Sequence, residues 1–146
     1  MKKVITLIVA LLSLCTLSAQ PYKVGDIYDK GGKKGIVFEV SNDGSQGKII
    51  AITQPSEKMT WHRAMEWGKE LKDGWYIPSI EEFNLLLSVN DKVGAKFQEL
   101  GLKAPYFCWA TTEFGSDFAW CVALRTEGKG GFYKGNSFNV CIISKF

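Results

Sequence analysis

The sequence predicts a single α+β domain in which strands occupy both ends of the chain and helices lie between them. Residues 22–52 and 107–144 are rich in β-branched and aromatic side chains separated by turn-forming residues. Between these two stretches, apolar residues recur at helical spacing. A chain of 146 residues has the length of one domain, and no internal repeat or linker divides it.

The first strands are predicted to pair as a hairpin. A turn cluster at residues 30–35 precedes a strand at residues 36–40, and a second strand follows at residues 48–52. The residues at 42–44, Asn, Asp and Gly, supply the turn chemistry between them. The two strands are therefore expected to be antiparallel neighbours.

The middle of the chain predicts two helices and a weaker third. Thr60 is placed to cap a first helix that Gly74 ends, with an apolar face formed by Trp61, Ala64, Met65, Gly68 and Leu71. Ser79 and Glu82 have the spacing of a capping box, and Pro78 precedes them, so a second helix begins there. A third helix is expected over residues 92–100, closed by Gly101.

Three strands are predicted near the C-terminus, at residues 107–111, 118–124 and 138–144. In the middle strand, alternation places large residues on one face and small residues on the other. The large set is Phe118, Trp120, Val122 and Leu124, and the small set is Ala119, Cys121 and Ala123. The glycine-rich stretch 130–137 is interpreted as a turn between strands, because Asn136 stands where a phosphate loop needs lysine.

The N-terminal residues 1–19 have the pattern of a secretory signal peptide. Lys2 and Lys3 precede an apolar run at residues 4–17, which is shorter than the ~18 residues a membrane span needs. Small residues before Gln20 predict cleavage after Ala19, leaving residues 20–146 as the mature domain without a transmembrane segment. Lipoprotein anchoring through Cys15 is disfavoured, since the bulky Leu14 precedes it.

The charge of the mature chain points to neither nucleic acid nor an anionic membrane as partner. The formal net charge of the whole sequence is +3, with 18 Lys and Arg against 15 Asp and Glu. Export removes Lys2 and Lys3, so that the mature chain is close to neutral.

Several short motifs, each weak alone, occur in a specific order along the mature chain. They are GIVF at residues 35–38, Trp61 with Ala64, GWYIPS at residues 74–79 with Glu82 and Phe83, WATTE at residues 109–113, Ala119 with Trp120, and Cys141. Together they resemble the Lcl C-terminal domain family, a bacterial extracytoplasmic domain related in fold to C-type lectins. The resemblance implies a C-type lectin-like fold with an N-terminal hairpin and C-terminal strands in one domain.

The residues of this signature have structural explanations. Trp75 and Pro78 lie at a predicted helix junction, and Ser79 with Glu82 caps the second helix. We expect Trp61, Trp109 and Trp120 to be structural positions as well. The chain departs from the family where Gly68 replaces a cysteine that often pairs with the near-terminal one. Val140 and Ile143 replace the arginines that usually flank that terminal cysteine.

Three cysteines remain after export: Cys108, Cys121 and Cys141. Alternation places each opposite the large residues of its strand, so all three are expected on one side of a sheet. A disulfide between Cys108 and Cys121, or between Cys121 and Cys141, is then feasible in an oxidising compartment. Three buried thiols are the alternative.

Catalytic, metal and cofactor chemistry is not expected. The cysteines lack zinc-ligand spacing, and His62 is the only histidine. The formylglycine-generating enzymes resemble lectins in fold and use a cysteine pair, which Cys121 and Cys141 superficially suggest. This chain is too short for that catalytic domain, so it is kept only as a remote oxidoreductase alternative.

The function that these observations favour is an exported, non-enzymatic binding or adhesion module that recognises a glycan or a protein surface. Aromatic and polar side chains on the later loops are the candidate contacts: Phe114, Asp117, Phe132, Tyr133 and Asn136. The alternative is a structural subunit of a periplasmic or cell-surface assembly, which would present an apolar patch or an unpaired sheet edge.

Overall fold

The computed structural model describes residues 20–146, so the predicted signal peptide and Cys15 lie outside the described residues. The domain is α+β, with two antiparallel sheets and three helices. In chain order the elements are β1 (Ile27–Lys30), β2 (Lys33–Val40), β3 (Gly47–Ala51), α1 (Trp61–Lys69), α2 (Ile80–Ser88), α3 (Asn90–Glu99), β4 (Phe107–Glu113), β5 (Phe118–Ala123), β6 (Gly128–Tyr133) and β7 (Ile143–Lys145).

The first sheet joins the two ends of the described chain. Its strand order is β1-β2-β3-β7, with every pair antiparallel. The predicted hairpin is confirmed as β2 and β3, in which Ile36 lies opposite Ile50. The second sheet has the order β4-β5-β6 and is also antiparallel.

The helix caps are those that the sequence predicts. The Thr60 side chain accepts a hydrogen bond from the backbone N–H of Arg63, and Ser79 with Glu82 forms a complete capping box. Helix α1 ends at Lys69, earlier than expected, and Gly74 lies in the turn that follows, with a φ of +78°. Such a backbone conformation favours glycine because it carries no Cβ.

The C-terminal strand assignment is wrong in two places. The glycine-rich stretch 130–137, expected to be a turn, begins inside β6, and residues 138–144 do not form a continuous strand. Phe138 and Asn139 make only isolated bridges, to Met59 and Cys108. Pairing along the whole of β5 holds the glycines extended, which outweighs their weak intrinsic preference for strands.

The second sheet separates two clusters of buried side chains. One face, including Cys108 and Val122, packs against β2, β3 and helices α2 and α3. The other face, including Trp109 and Ala119, packs against helix α1. The small-residue face of β5 is fully covered, as expected, whereas Phe118 at the start of the strand is exposed.

No helix within residues 20–146 is long and apolar enough to cross a membrane.

Candidate functional site

Four of the five predicted contact residues lie at one end of the second sheet. Phe114 and Asp117 belong to the turn between β4 and β5, and Tyr133 ends β6 immediately before the turn that carries Asn136. The register of β5 and β6 brings the two turns together, since Phe118 lies opposite Tyr133. All four side chains are exposed.

The fifth residue, Phe132, does not belong to this surface. Its side chain is half-buried and packs edge-on against Phe107 and Phe138, at ring-centroid distances of 5.6 Å and 5.4 Å. Neighbouring residues of a strand point to opposite faces, so Phe132 faces away from Tyr133. The structure thus places Phe132 against the second core cluster, apart from the other four predicted contact residues.

Exposed aromatic rings cover this end of the sheet. Phe114, Phe118 and Tyr133 are 53%, 45% and 56% exposed, and Trp120 is half-buried beside them. The ring centroids of Phe114 and Trp120 are 4.8 Å apart in an edge-to-face arrangement, and those of Phe118 and Tyr133 are 6.4 Å apart. We call these four residues the aromatic end. Edge-to-face pairs of this kind hold each ring in a defined orientation.

A glycine shapes the aromatic end. Gly131 lies opposite Trp120 on β6, and the Phe114 ring occupies the space where a side chain at position 131 would project. The glycine thus lets the turn between β4 and β5 fold back over the sheet. Its place in a strand rather than a turn is explained by this close approach.

A small polar cleft adjoins the aromatic end. Its volume is about 230 Å³, and it is lined by Thr60, His62, Ser116, Asp117, Tyr133, Lys134 and Gly135. Tyr133 and Asp117 therefore border the same opening. Such a combination suits a ligand that offers both an apolar face and hydrogen-bonding groups.

Lys134 holds the turn that carries Asp117. The side chain is buried, with the residue only 6% exposed, and its ammonium group donates to the backbone carbonyl of Ser116 at 2.8 Å. The same ammonium is paired with the Glu113 carboxylate at 3.0 Å and lies 4.5 Å from the centre of the Trp61 ring. Through these contacts the Lys134 ammonium, which follows β6, holds together the end of β4, the turn after it and the start of helix α1.

The signature residues lie elsewhere and have structural contacts. Tyr76 donates its hydroxyl to Glu82 at 2.6 Å, and Glu82 also accepts from the backbone of Ser79. Partial burial opposes ionisation of Glu82, but these hydrogen bonds and the Lys48 ammonium at 3.3 Å outweigh it, so the pKa of Glu82 lies below its usual value. Burial, followed by the bond to Glu82, raises the pKa of Tyr76.

The tryptophans of the signature support the core. Trp61 donates its indole N–H to the carbonyl of Ala110 at 2.9 Å, and Trp109 donates to Met59 at 2.8 Å. Pro78 is buried, and Trp75 is half-buried at the predicted helix junction. These are the contacts of a scaffold, while Trp120 alone reaches the aromatic end.

The three cysteines are buried thiols and do not share one side of the sheet. Cys108 and Cys141 belong to the first core cluster, whereas Cys121 belongs to the second. The expectation of a common face is wrong because Cys108 lies opposite Val122 in the register, which turns Cys121 to the other face. Burial raises the pKa of Cys121 to about 12, so it is uncharged at neutral pH.

Within residues 20–146 there is no group of three or more His, Cys, Asp or Glu side chains that could hold a metal ion. His62 borders the polar cleft, but it stacks edge-on against the Trp61 ring at 5.1 Å. The residues that line the cleft offer aromatic, carboxylate and hydroxyl side chains.

Two residues of the site were not expected from the sequence. The sequence pattern groups Phe118 with the other large residues of its strand, and it places Lys134 in a predicted turn. The exposure of Phe118 could have been predicted, because the residue directly follows the turn-forming Gly-Ser-Asp stretch at residues 115–117. The burial of Lys134 depends on Trp61 and Glu113, which are distant in sequence, and no local pattern reveals it.

No family model matches this chain, and no curated protein matches it.

Proposed function

We propose that the protein is an exported, non-enzymatic binding module whose ligand lies on the aromatic end and in the polar cleft beside it. The observation that carries the proposal is the clustering of three exposed rings, Phe114, Phe118 and Tyr133, at one end of a sheet. Exposed rings keep apolar surface in contact with water, and a partner that covers them removes that surface from water, which is favourable. Grouped aromatic side chains are therefore characteristic of surfaces that bind.

The aromatic end is held in place before a ligand arrives. The Phe114 ring packs edge-to-face against Trp120 and lies against Gly131. The hydrogen bond from Lys134 to Ser116 holds the turn that carries Asp117. A surface that is already ordered loses less conformational entropy on binding. The rigid support of β5 and β6 thus favours a binding role over a merely exposed loop.

Two ligand classes have the required chemistry. A sugar ring and a protein surface both offer an apolar face flanked by hydrogen-bonding groups, which suits rings beside the Asp117 carboxylate. The ligand is therefore a glycan or a protein surface, and binding to a glycan array or to surface proteins distinguishes the two.

We also propose that the scaffold is C-type lectin-like and that the chain is related to the Lcl C-terminal domain family. The order of strands, helices and strands supports this, as does the first sheet, which pairs β7 with β3 and so brings the two ends of the domain together. The capping box within the signature gives its serine and glutamate one shared local role.

Export is part of the proposal. When the protein is purified from the periplasm or the medium of its host, we expect its mass to equal that of a chain that starts at Gln20. A mass that includes residues 1–19 would contradict removal of a signal peptide, and acylation at Cys15 would favour the anchored alternative.

A structural role in an assembly is the second candidate, and β6 is the observation that favours it. This strand is at the edge of the second sheet, where it pairs with β5 on one side only. An edge strand offers unpaired backbone groups to a second copy. Self-association measured by light scattering at increasing concentration would support this role.

The binding experiment compares the chain 20–146 with a Phe118→Ala/Tyr133→Ala variant on a glycan array and against surface proteins. Leu85→Ala/Leu102→Ala is the matched control, since these exposed apolar residues lie outside the aromatic end. We expect the aromatic variant to lose at least about tenfold in affinity for whatever ligand is found. Equal affinity of the two variants would overturn the proposed site.

A further inference from the structure

Cys108 and Cys141 are brought together by the segment that follows β6. Asn139 lies beside Cys108 in an isolated parallel bridge. Two backbone hydrogen bonds fix this bridge, from Trp109 to the carbonyl of Asn139 at 3.2 Å and from Asn139 to the carbonyl of Phe107 at 3.0 Å. Cys141 follows two residues later, in the same core cluster as Cys108.

The two cysteines lie close to each other inside that cluster. Both side chains are fully buried, and the Cys141 side chain, followed by burial, raises the pKa of the Cys108 thiol. Neighbouring buried residues, among them Val122 and Ile143, enclose both side chains in apolar surroundings. Their proximity is therefore part of the packed core and not of a mobile surface.

Cys121 is separated from this pair by the sheet itself. It lies opposite Trp109 in the register of β4 and β5, and its side chain packs in the second cluster, towards helix α1. A bond from Cys121 to either of the other cysteines would need one side chain to pass through the plane of the sheet. Only one of the three possible pairs, Cys108 with Cys141, thus lies in one core cluster on one face of the sheet.

We propose that Cys108 and Cys141 form a disulfide in the mature protein and that Cys121 remains a free thiol. The reaction removes one hydrogen from each thiol and forms one S–S bond. The two electrons and two protons pass to a disulfide oxidant, either a small disulfide or a thiol–disulfide exchange protein, which is reduced to two thiols. Because both thiols are buried in the folded domain, oxidation takes place before the C-terminal segment has docked.

The bond anchors the end of the chain. It connects β4 to the segment leading into β7, which has only three residues, pairs with β3 and has one further bridge, from Ile143 to Tyr76. The loop that it closes contains β5 and β6, and closing a loop of that length restricts the unfolded chain. The short last strand is thereby held on the first sheet.

The test is to refold the chain 20–146, which contains every helix and strand described, in a buffer of oxidised and reduced glutathione. Free thiols are then alkylated in denaturant, and the peptides are mapped by mass spectrometry. The expected result is alkylation at Cys121 only, with the peptides of Cys108 and Cys141 linked. The melting temperature should be roughly 10 °C higher than that of the protein kept in reductant.

Variants provide the controls. Cys121→Ser should retain the linked peptides and show no free thiol, whereas Cys108→Ser should show two free thiols and no rise in melting temperature on oxidation. Three alkylated cysteines in the oxidised wild type, or a link that includes Cys121, would overturn the proposal. The peptide map of the wild type decides the question even if a variant fails to fold, and it is independent of any ligand.

Discussion

Lys134 is a single residue on which the order of the proposed site depends. We expect Lys134→Met to lower the free energy of unfolding by about 1–2 kcal/mol, measured by urea denaturation. Methionine keeps the length of the side chain, but it removes the hydrogen bond to Ser116 and the pair with Glu113. The matched control is Lys129→Met in β6, the strand that precedes Lys134, where the lysine is exposed and its replacement should change the free energy of unfolding by less than about 0.5 kcal/mol. Equal effects of the two substitutions would contradict this role of Lys134.

Glu82 makes stability depend on pH in a direction that the structure determines. Its pKa is lower in the folded state than the ordinary value of 4.5, so its contribution is complete above that pH and is lost as the pH falls below it. Glu82→Gln stays neutral and should be less stable at pH 7, by about 1 kcal/mol.

The measurement is the difference in unfolding free energy between wild type and Glu82→Gln from pH 7 to pH 3. We expect the difference to shrink as the pH falls, since the wild-type carboxylate becomes protonated and its pair with Lys48 is lost. A difference that is constant over this range would show that Glu82 acts without its charge.

Strand β6 is an edge strand of the second sheet, and its Gly131 lies under the Phe114 ring of the aromatic end. A methyl group at Gly131 would overlap the Phe114 ring, whereas one at Gly130 would meet only the Phe132 ring at an ordinary 3.6 Å. We expect Gly131→Ala to displace Phe114, to change the near-ultraviolet circular dichroism of the aromatic residues and to weaken ligand binding. Gly130→Ala is the control, and the same spectral change in both variants would argue against the close approach at Gly131.

Strand β6 also shows which elements the sequence could not predict. The caps at Thr60 and Ser79 were predictable because hydrogen bonds within one turn define them. Strand β6 was not, since three of its six residues are glycines and its extended form comes from pairing with β5. Local patterns fail where a contact between distant segments determines the conformation.

At the scale of the whole molecule, fold class and hairpin followed from the sequence, while the distribution of side chains between the two core clusters did not. The register of β4 and β5 determines that Cys108 and Cys121 point to opposite faces. A shift by one residue reverses every side chain, and the sequence alone does not specify the register. The candidate site was predicted in part for the same reason, with Tyr133 at the surface and Phe132 in the core.

The central claim is that the ligand contacts the aromatic end, and a nuclear magnetic resonance titration of the chain 20–146 tests it most directly. With a ligand identified by the screen, we expect shifts of the Phe118 and Tyr133 amides and of the Trp120 indole N–H. The comparison region is the 540 Å³ cavity beside helix α3, lined in part by Asn90 and Lys103. Shifts confined to that cavity, with the signals of the aromatic end unchanged, would contradict the account.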